Sequence, residues 1–370
     1  MLRQGSGNVG FDPTHRSLAP RQLDQHLHDR TPLGTWPFQT SRVVLPLPSG
    51  EGWGEGEGIT LSFMAFFSPV GSGLNSTENS EEPLAIAAEP IKENALVGVT
   101  GKVNHGWMND FSLKCFGVGD GWPSANRGHS SFLYRLGKVH LLVDCGEPVG
   151  AQFKATGLSY NTIDRIFISH LNFDHLAGLF MLMQGFWLER RKKDLSVHVP
   201  SAGIPALRQM LEVGYVFDEL LPFRLRFVPL RAGEPVVTGG ARVTPFPTTH
   251  LHSLQADFQK HHPVGFESYS FLIEAGRRRI VHSADLGAPE DLEPTLDKTV
   301  DLLVCEFAHF SAEDLLRYLC GRNIRRIAFV HLARKYWENI KATRRLAAKM
   351  LGGIPFSFPK AGEEVAIIPH

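Results

Sequence analysis

The segment Ser169-His-Leu-Asn-Phe-Asp-His175 brings two imidazoles, a carboxylate and a carboxamide together within seven residues. Imidazole nitrogen and carboxylate oxygen are the donors that zinc and related divalent ions take. An ion held there would acidify a bound water and stabilise negative charge on an attacked ester, so these residue types suggest metal-assisted hydrolysis. In a chain with 17 histidines, a polar turn that merely contains two of them has the same appearance. The setting narrows the choice, because the segment leaves the apolar run Ile163–Ser169 and enters a helix expected over His175–Arg190. Alternate residues leaving a strand project to one side, which predicts that His170, Asn172 and Asp174 converge.

Further acids and histidines recur at intervals along the chain. They stand in Phe116-Gly-Val-Gly-Asp-Gly-Trp-Pro, Asn126-Arg-Gly-His-Ser-Ser131, Leu142-Val-Asp144-Cys-Gly146, Thr249-His250, His282-Ser-Ala-Asp285-Leu-Gly, Cys305-Glu306-Phe-Ala-His309 and Phe329-Val-His331. Together with Ser169-His170…His175-x-x-Gly178, this ordered set resembles the metallo-β-lactamase superfamily and, within it, the ribonuclease Z-like branch. The resemblance covers essentially all of residues 108–370 and implies an α/β fold of αββα sandwich type.

Carried over residue by residue, the resemblance implies a centre for one or two ions, zinc or else manganese or iron. His170, position 172 and His250 would form the first site. Asp174, His175 and His331 would form the second, with Asp285 bridging. Asp144 would orient a ligand from outside, or it is simply a turn-forming Asp before Cys-Gly. The family has histidine at 172, whereas this chain has Asn172, whose neutral carbonyl is a poorer zinc donor. The first site is therefore expected to be the weaker. A hydroxide formed from the bound water would attack, Asp174 would hold and orient it, and His309 would give the departing alkoxide its proton. In the resembled branch a histidine and a glutamate near here contact the scissile phosphate, which points to His309 and Glu306, although their order differs.

The elements needed to hold these residues are legible as periodicity. Phe111–Gly117, Ser130–Leu136 and Lys138–Asp144 read as strands at hairpin spacing. Strands are also expected at Val197–Pro200, Arg224–Val228, Arg242–Pro245, Tyr269–Glu274, Arg279–His282, Leu302–Glu306 and Ile327–His331, with helices at Ile204–Val213, Ala312–Leu319 and Lys341–Leu351. Such an order fits sheets covered by helices in layers. His252 could substitute for His250 as a ligand, although the strand-then-Thr-Thr-His context favours His250; His129 reads as a loop residue near the cleft, and His198, His261 and His262 as structural or solvated. Ser130 and Ser131 have no base beside them, so serine nucleophile chemistry has little support.

Composition sets the outer bounds. A 370-residue chain with 43% hydrophobic residues can bury a large core. Net charge is zero, divided as −4 over residues 1–107 and +4 over the rest, which favours neither a nucleic-acid tail nor a membrane anchor. Four scattered cysteines without a CxxC pair suggest a reduced, cytoplasmic protein. No apolar run reaches membrane-spanning length. Residues 1–107 include Glu51-Gly-Trp-Gly-Glu-Gly-Glu-Gly58 and are expected to be disordered, or to be translated intergenic sequence of a bacterial kind placed ahead of a true start at Met108.

The substrate expected is a small-molecule or RNA phosphodiester, with neither DNA nor membrane as partner. The stretch Arg231–Ala241 is too short for the Gly/Pro-rich arm that grips tRNA in the resembled branch, and the basic clusters are scattered. That branch commonly forms homodimers. The alternatives are a degenerate member, with one ion or none, that binds or senses a ligand, and a hydrolase of a non-phosphate ester.

Overall fold

Two seven-stranded sheets face one another in residues 110–368, which are the part that the structure, a computed structural model, describes beyond the backbone of Arg42–Val43 and Leu61–Ser62. Those two short segments pair antiparallel. The expectations for residues 1–107, and the boundary at Met108, otherwise lie outside the described residues.

In the first sheet Glu364–Ala366, Phe111–Gly117, Ser131–Leu136 and Val139–Val143 run antiparallel, and Arg165–Phe167, Leu195–Val199 and Leu225–Pro229 continue in parallel. The second sheet repeats this plan. Val236–Thr238, Ala241–Pro247, Tyr269–Ala275 and Arg278–His282 are antiparallel, followed in parallel by Leu302–Phe307, Ile327–Leu332 and Phe356–Ser357. No repeat of residue identity announces this likeness, because a buried position asks only for an apolar side chain of suitable volume.

The layering follows from which face of each strand is apolar. Phe132, Tyr134 and Phe167 of the first sheet meet Phe271, Ile273 and Val304 of the second in one central core. Helices Val149–Ala155, Gly178–Leu188 and Ile204–Val213 cover the outer face of the first sheet, and Ala312–Leu319 and Ile340–Met350 cover the second. Parallel strands buried on both faces read as continuous apolar runs, as in Leu302–Phe307, where every residue is buried. The result is the αββα sandwich.

Several boundaries differ from the sequence reading where local geometry overrides periodicity. The strand expected over Ile163–Ser169 is Arg165–Phe167, and the helix expected over His175–Arg190 is two pieces, Phe173–Leu176 and Gly178–Leu188. Alternation along a strand therefore does not aim His170 and Asp174. The strand has ended before His170, and Asp174 and His175 sit on a helical turn. Gly146 makes that turn possible: a Cβ there would lie 2.2 Å from the Asp174 carbonyl oxygen. Helices Val149–Ala155 and His252–Phe258 were not anticipated. Among the described residues no helix is long and apolar enough to cross a membrane.

Candidate metal centre

In both sheets the parallel strands end at the same rim, where chain reversals leave side chains free to face a common point. The first sheet brings Asp144 just past Val139–Val143, and His170, Asp174 and His175 past Arg165–Phe167. The second brings His250 past Ala241–Pro247 and Asp285 past Arg278–His282, with Glu306 and His331 within the last strands. Three of these connections hold a non-glycine residue in the left-handed region: Asp144 at φ 59°, Ala284 at 48° and His331 at 48°. Such backbone costs about 1–3 kcal/mol and persists where the surroundings fix it.

Two donor groups share one carboxylate. Asp174, His175, Asp285 and His331 form one, and His170, His250 and Asp285 the other, with the donor atoms in each within 4.8 Å of one another. Asp285 Oδ1 lies 3.3 Å from His175 Nε2, and its Oδ2 lies 3.4 Å from His331 Nε2. The Nε2 atoms of His170 and His250 each stand 3.7 Å from the same Oδ2. Asp174 Oδ2 is 3.4 Å from His175 Nε2 and 3.9 Å from His331 Nε2. Two ligand bonds of about 2.0–2.2 Å meeting at a tetrahedral angle put their donor atoms about 3.3–3.6 Å apart, so this spacing suits a shared cation.

Satisfaction of polar groups gives the same answer. His170 Nε2, His175 Nε2, His250 Nε2 and Asp285 Oδ1 are buried and have no hydrogen-bond partner. An orphaned buried polar atom costs about 1–3 kcal/mol, and four of them distributed over the two donor groups around Asp285 fit bound divalent ions.

The opposite ring nitrogens are held. Asp144 Oδ2 contacts His175 Nδ1 at 2.8 Å and accepts from Ser169 Oγ at 2.9 Å, while its Oδ1 accepts from the Ser169 backbone N–H. Ser169 Oγ also lies 3.0 Å from His170 Nδ1. Asp144 thus fixes the His175 ring and the Ser169 turn. Across the cleft Ser130 Oγ is 2.9 Å from His331 Nδ1. Asp291 accepts from Thr249 N–H and Gly287 N–H, tying the loop of His250 to that of Asp285. Sequence reasoning missed Ser130 and Asp291 as supports: the first is 201 residues from its partner, and the second is an ordinary acid at the start of a helical turn.

Electrostatics reflects this crowding. Burial holds His170 well below the usual histidine range, and His175 adds to that. Burial works against charge on His175 too, but Asp285 and Asp144 outweigh it and raise that residue well above the range. Asp285 is buried, yet His175 and His331 hold its carboxyl far below the ordinary value. Burial also opposes charge on His309, which Glu306 nonetheless pushes up to about 9.

The remaining expected residues divide clearly. His309 Nε2 lies 3.7 Å from Asp285 Oδ2, and its Nδ1 is 2.9 Å from Glu306 Oε1. Glu306 is buried and also accepts from the Leu286, Ala308 and His309 backbone N–H groups, so its carboxylate is fully engaged and its contact with the candidate centre runs through His309. His252 is exposed at the start of its helix, and it is His250 that faces Asp285. His129 Nδ1 lies 2.8 Å from the Asp120 carbonyl in the loop beside the cleft. His198 is buried against Phe167, while His261 and His262 are exposed. Asn172 caps the Phe173–Leu176 turn and is half-buried, and its carboxamide makes no capping hydrogen bond. The cysteines are unpaired, with Cys115, Cys145 and Cys305 buried.

The family model for the anti-Pycsar protein Apyc1 matches residues 111–346. The ribonuclease Z of Archaeoglobus fulgidus is 32% identical over 141 residues, which cover 38% of this chain and 45% of that protein. The ribonuclease Z of Methanothermobacter thermautotrophicus is 33% identical over 135 residues, covering 36% and 43%. The chain thus spans less than half the length of these two curated relatives. The crystal structure of the metallo-β-lactamase-fold protein YhfI from Bacillus subtilis superposes with a TM-score of 0.56 at 19% identity, over 70% of this chain and 99% of that one. That of the short form of human tRNase Z gives 0.53 at 17% identity, over 70% and 99%. These two structures speak for the fold, and the family match speaks for membership. The chain belongs to the anti-Pycsar protein Apyc1 family, a ribonuclease Z-like group of the metallo-β-lactamase superfamily.

Proposed function

We propose that this protein is a metal-dependent phosphodiesterase acting on a small diester such as a cyclic nucleotide. The observation that carries the reading is the pair of donor groups sharing Asp285, with His309 Nε2 facing that same carboxylate. Bound divalent ions would supply an acidified water and positive charge for the developing phosphate oxygens. His170, Asp174, His175, His250, Asp285 and His331 would hold them, with zinc, manganese or iron all compatible with the donors.

The chain's own groups do the rest. Asp174, half-buried at the rim, orients the attacking oxygen. Glu306 occupies His309 Nδ1, so the proton for the leaving alkoxide is carried on Nε2, the atom turned toward the centre. Burial of the imidazoles excludes bulk water, so that the fixed charges act at low screening.

The relatives named for RNA cleavage favour a phosphodiester over other esters. A small substrate is supported by Arg231–Ala241, where a turn, the short strand Val236–Thr238 and a Gly239-Gly240 reversal leave no room for a long RNA-gripping arm. Asn172 favours one second reading, a degenerate member that binds or senses a ligand.

Turnover separates the two. Metal-loaded protein is expected to release p-nitrophenolate from bis(p-nitrophenyl) phosphate, to open 3′,5′-cyclic nucleotides faster than it cuts pre-tRNA, and to lose both activities to a chelator. Metal uptake without turnover of any diester supports the binding reading, and faster cleavage of pre-tRNA overturns the choice of a small substrate.

A further inference from the structure

The two donor groups are unequal in number and in charge. One offers four protein donors including two carboxylates, Asp174 and Asp285, with His175 and His331. The other offers His170, His250 and only the shared Asp285. Position 172 is the natural source of a further donor for this half, since it lies on the loop between His170 and Asp174. That loop is pinned: Leu171 packs so closely on Gly203 that a Cβ there would be 2.6 Å from Leu171 Cδ1. At position 172 the backbone is extended, with φ −64° and ψ 144°, and its carbonyl accepts from the His175 N–H at 3.0 Å. The backbone place is therefore fixed, and only the side chain decides what it can donate. Asn172 can give a neutral amide oxygen, which binds zinc-like ions more weakly than imidazole nitrogen and cancels none of their charge.

The supports are unequal as well. Of the ligands in the fuller half, His175 is held by the Asp144 carboxylate and His331 by Ser130. In the poorer half, His170 rests on the neutral Ser169 hydroxyl, and His250 gains only indirect support from the Asp291 tie to its loop. A carboxylate partner raises imidazole basicity, and an outer partner of this kind is worth about 10–100-fold in ion affinity.

We infer that the centre loads in two separate steps. The Asp174–His175–Asp285–His331 half takes an ion first and tightly. The His170–His250–Asp285 half takes a second ion weakly because Asn172 replaces a stronger donor. Occupancy of the second half would then follow the free metal concentration while the first stays filled. This rests on the reading that the centre holds divalent ions, and it is independent of which ester is cleaved.

Zinc titration of the metal-stripped full chain against a chromophoric chelator tests it without recourse to activity. Wild type is expected to show two steps whose dissociation constants differ by at least about tenfold. The Asn172→His variant should tighten the weaker step by about tenfold or more and leave the first unchanged, and Asn172→Ala should leave the separation in place. His170→Ala should weaken the second step alone, and His331→Ala chiefly the first. The inference is overturned if wild type takes up two ions in one indistinguishable step, if N172H moves neither step, or if H170A removes the tight one. Absence of a second ion in wild type up to millimolar zinc is the same inequality at its limit, provided that N172H then creates that step. If N172H creates none, the inference fails. Unfolding midpoints of the four variants show whether each is folded before its step is read. Stepwise uptake without turnover of any diester counts against the phosphodiesterase reading alone. Single-step uptake with turnover intact counts against this inference alone.

Discussion

The two sheets share one strand plan but supply the centre in different ways. The first sheet delivers its donors from one contiguous segment, Ser169 to His175, braced by Asp144 on the neighbouring strand end. The second delivers its residues singly from distant places, His250 and Asp285 from two different reversals and His331 from near the end of strand Ile327–Leu332. A contiguous segment needs a single well-packed turn to place three groups. Dispersed residues need the whole sheet in register, together with ties such as Asp291 to Thr249 and Gly287. A local motif and a tertiary constellation thus meet at one place, with the shared Asp285 joining them.

Asp285→Asn should break that junction most severely. It keeps the shape and removes the one charge common to both groups, so diester turnover should be abolished. Ion affinity in a chelator competition should also fall by more than the about 10–100-fold that outer partners are worth. His309→Ala tests whether the second sheet adds a proton donor to its ligands. Turnover of an alkyl diester should fall by about 10²–10⁴-fold, while bis(p-nitrophenyl) phosphate, whose leaving group needs no proton, should be hydrolysed at close to the wild-type rate.

The braces sharpen the comparison at smaller scale. Asp144→Asn should cost about 10–100-fold in affinity at the tighter step, because the carboxylate fixes both His175 and the Ser169 turn. Ser130→Ala removes a single neutral hydrogen bond to His331 and should cost about 1 kcal/mol, roughly fivefold in the same titration.

At neutral pH the smallest effect belongs to His198, a first-sheet histidine buried away from the donors. Neither ring nitrogen has a hydrogen-bond partner, and burial pushes its pKa down to about 4. The unfolded chain binds a proton near pH 6.5 and the folded chain does not. Stability is therefore full above that value and falls as pH drops toward 4, by about 1.4 kcal/mol per unit. His198→Leu should flatten this part of the urea-midpoint profile, and an unchanged slope would show that the ring is protonated in the fold.

What could be read in the chain beforehand follows the same division. Phe111–Gly117, Ile204–Val213 and Ala312–Leu319 form as their apolar spacing predicts. Short amphipathic pieces such as His252–Phe258, with no buried residue, carried too weak a pattern to be seen. The helix after His170 was placed approximately, but its break at Ala177 and its early start depend on packing against Gly146 and Gly178. At Gly178 a Cβ would lie 2.6 Å from Val149 Cγ1. Such contacts join residues far apart in the chain and leave no periodic trace.

The amino-acid sequence already carried the donor types, their order and the exchange at Asn172, because ligand chemistry resides in side-chain identity and the resemblance ties each to a position. It also determined the layered class, since strand and helix spacing follow from which faces must be buried. The folded chain added what the resemblance could not supply: the distances that gather both groups at Asp285, the exposure of His252 beside a His250 that faces Asp285, and the contact of Glu306 with His309 Nδ1. Convergence within a few ångströms depends on register and on left-handed backbone at Asp144, Ala284 and His331, which are fixed by packing from both sheets at once.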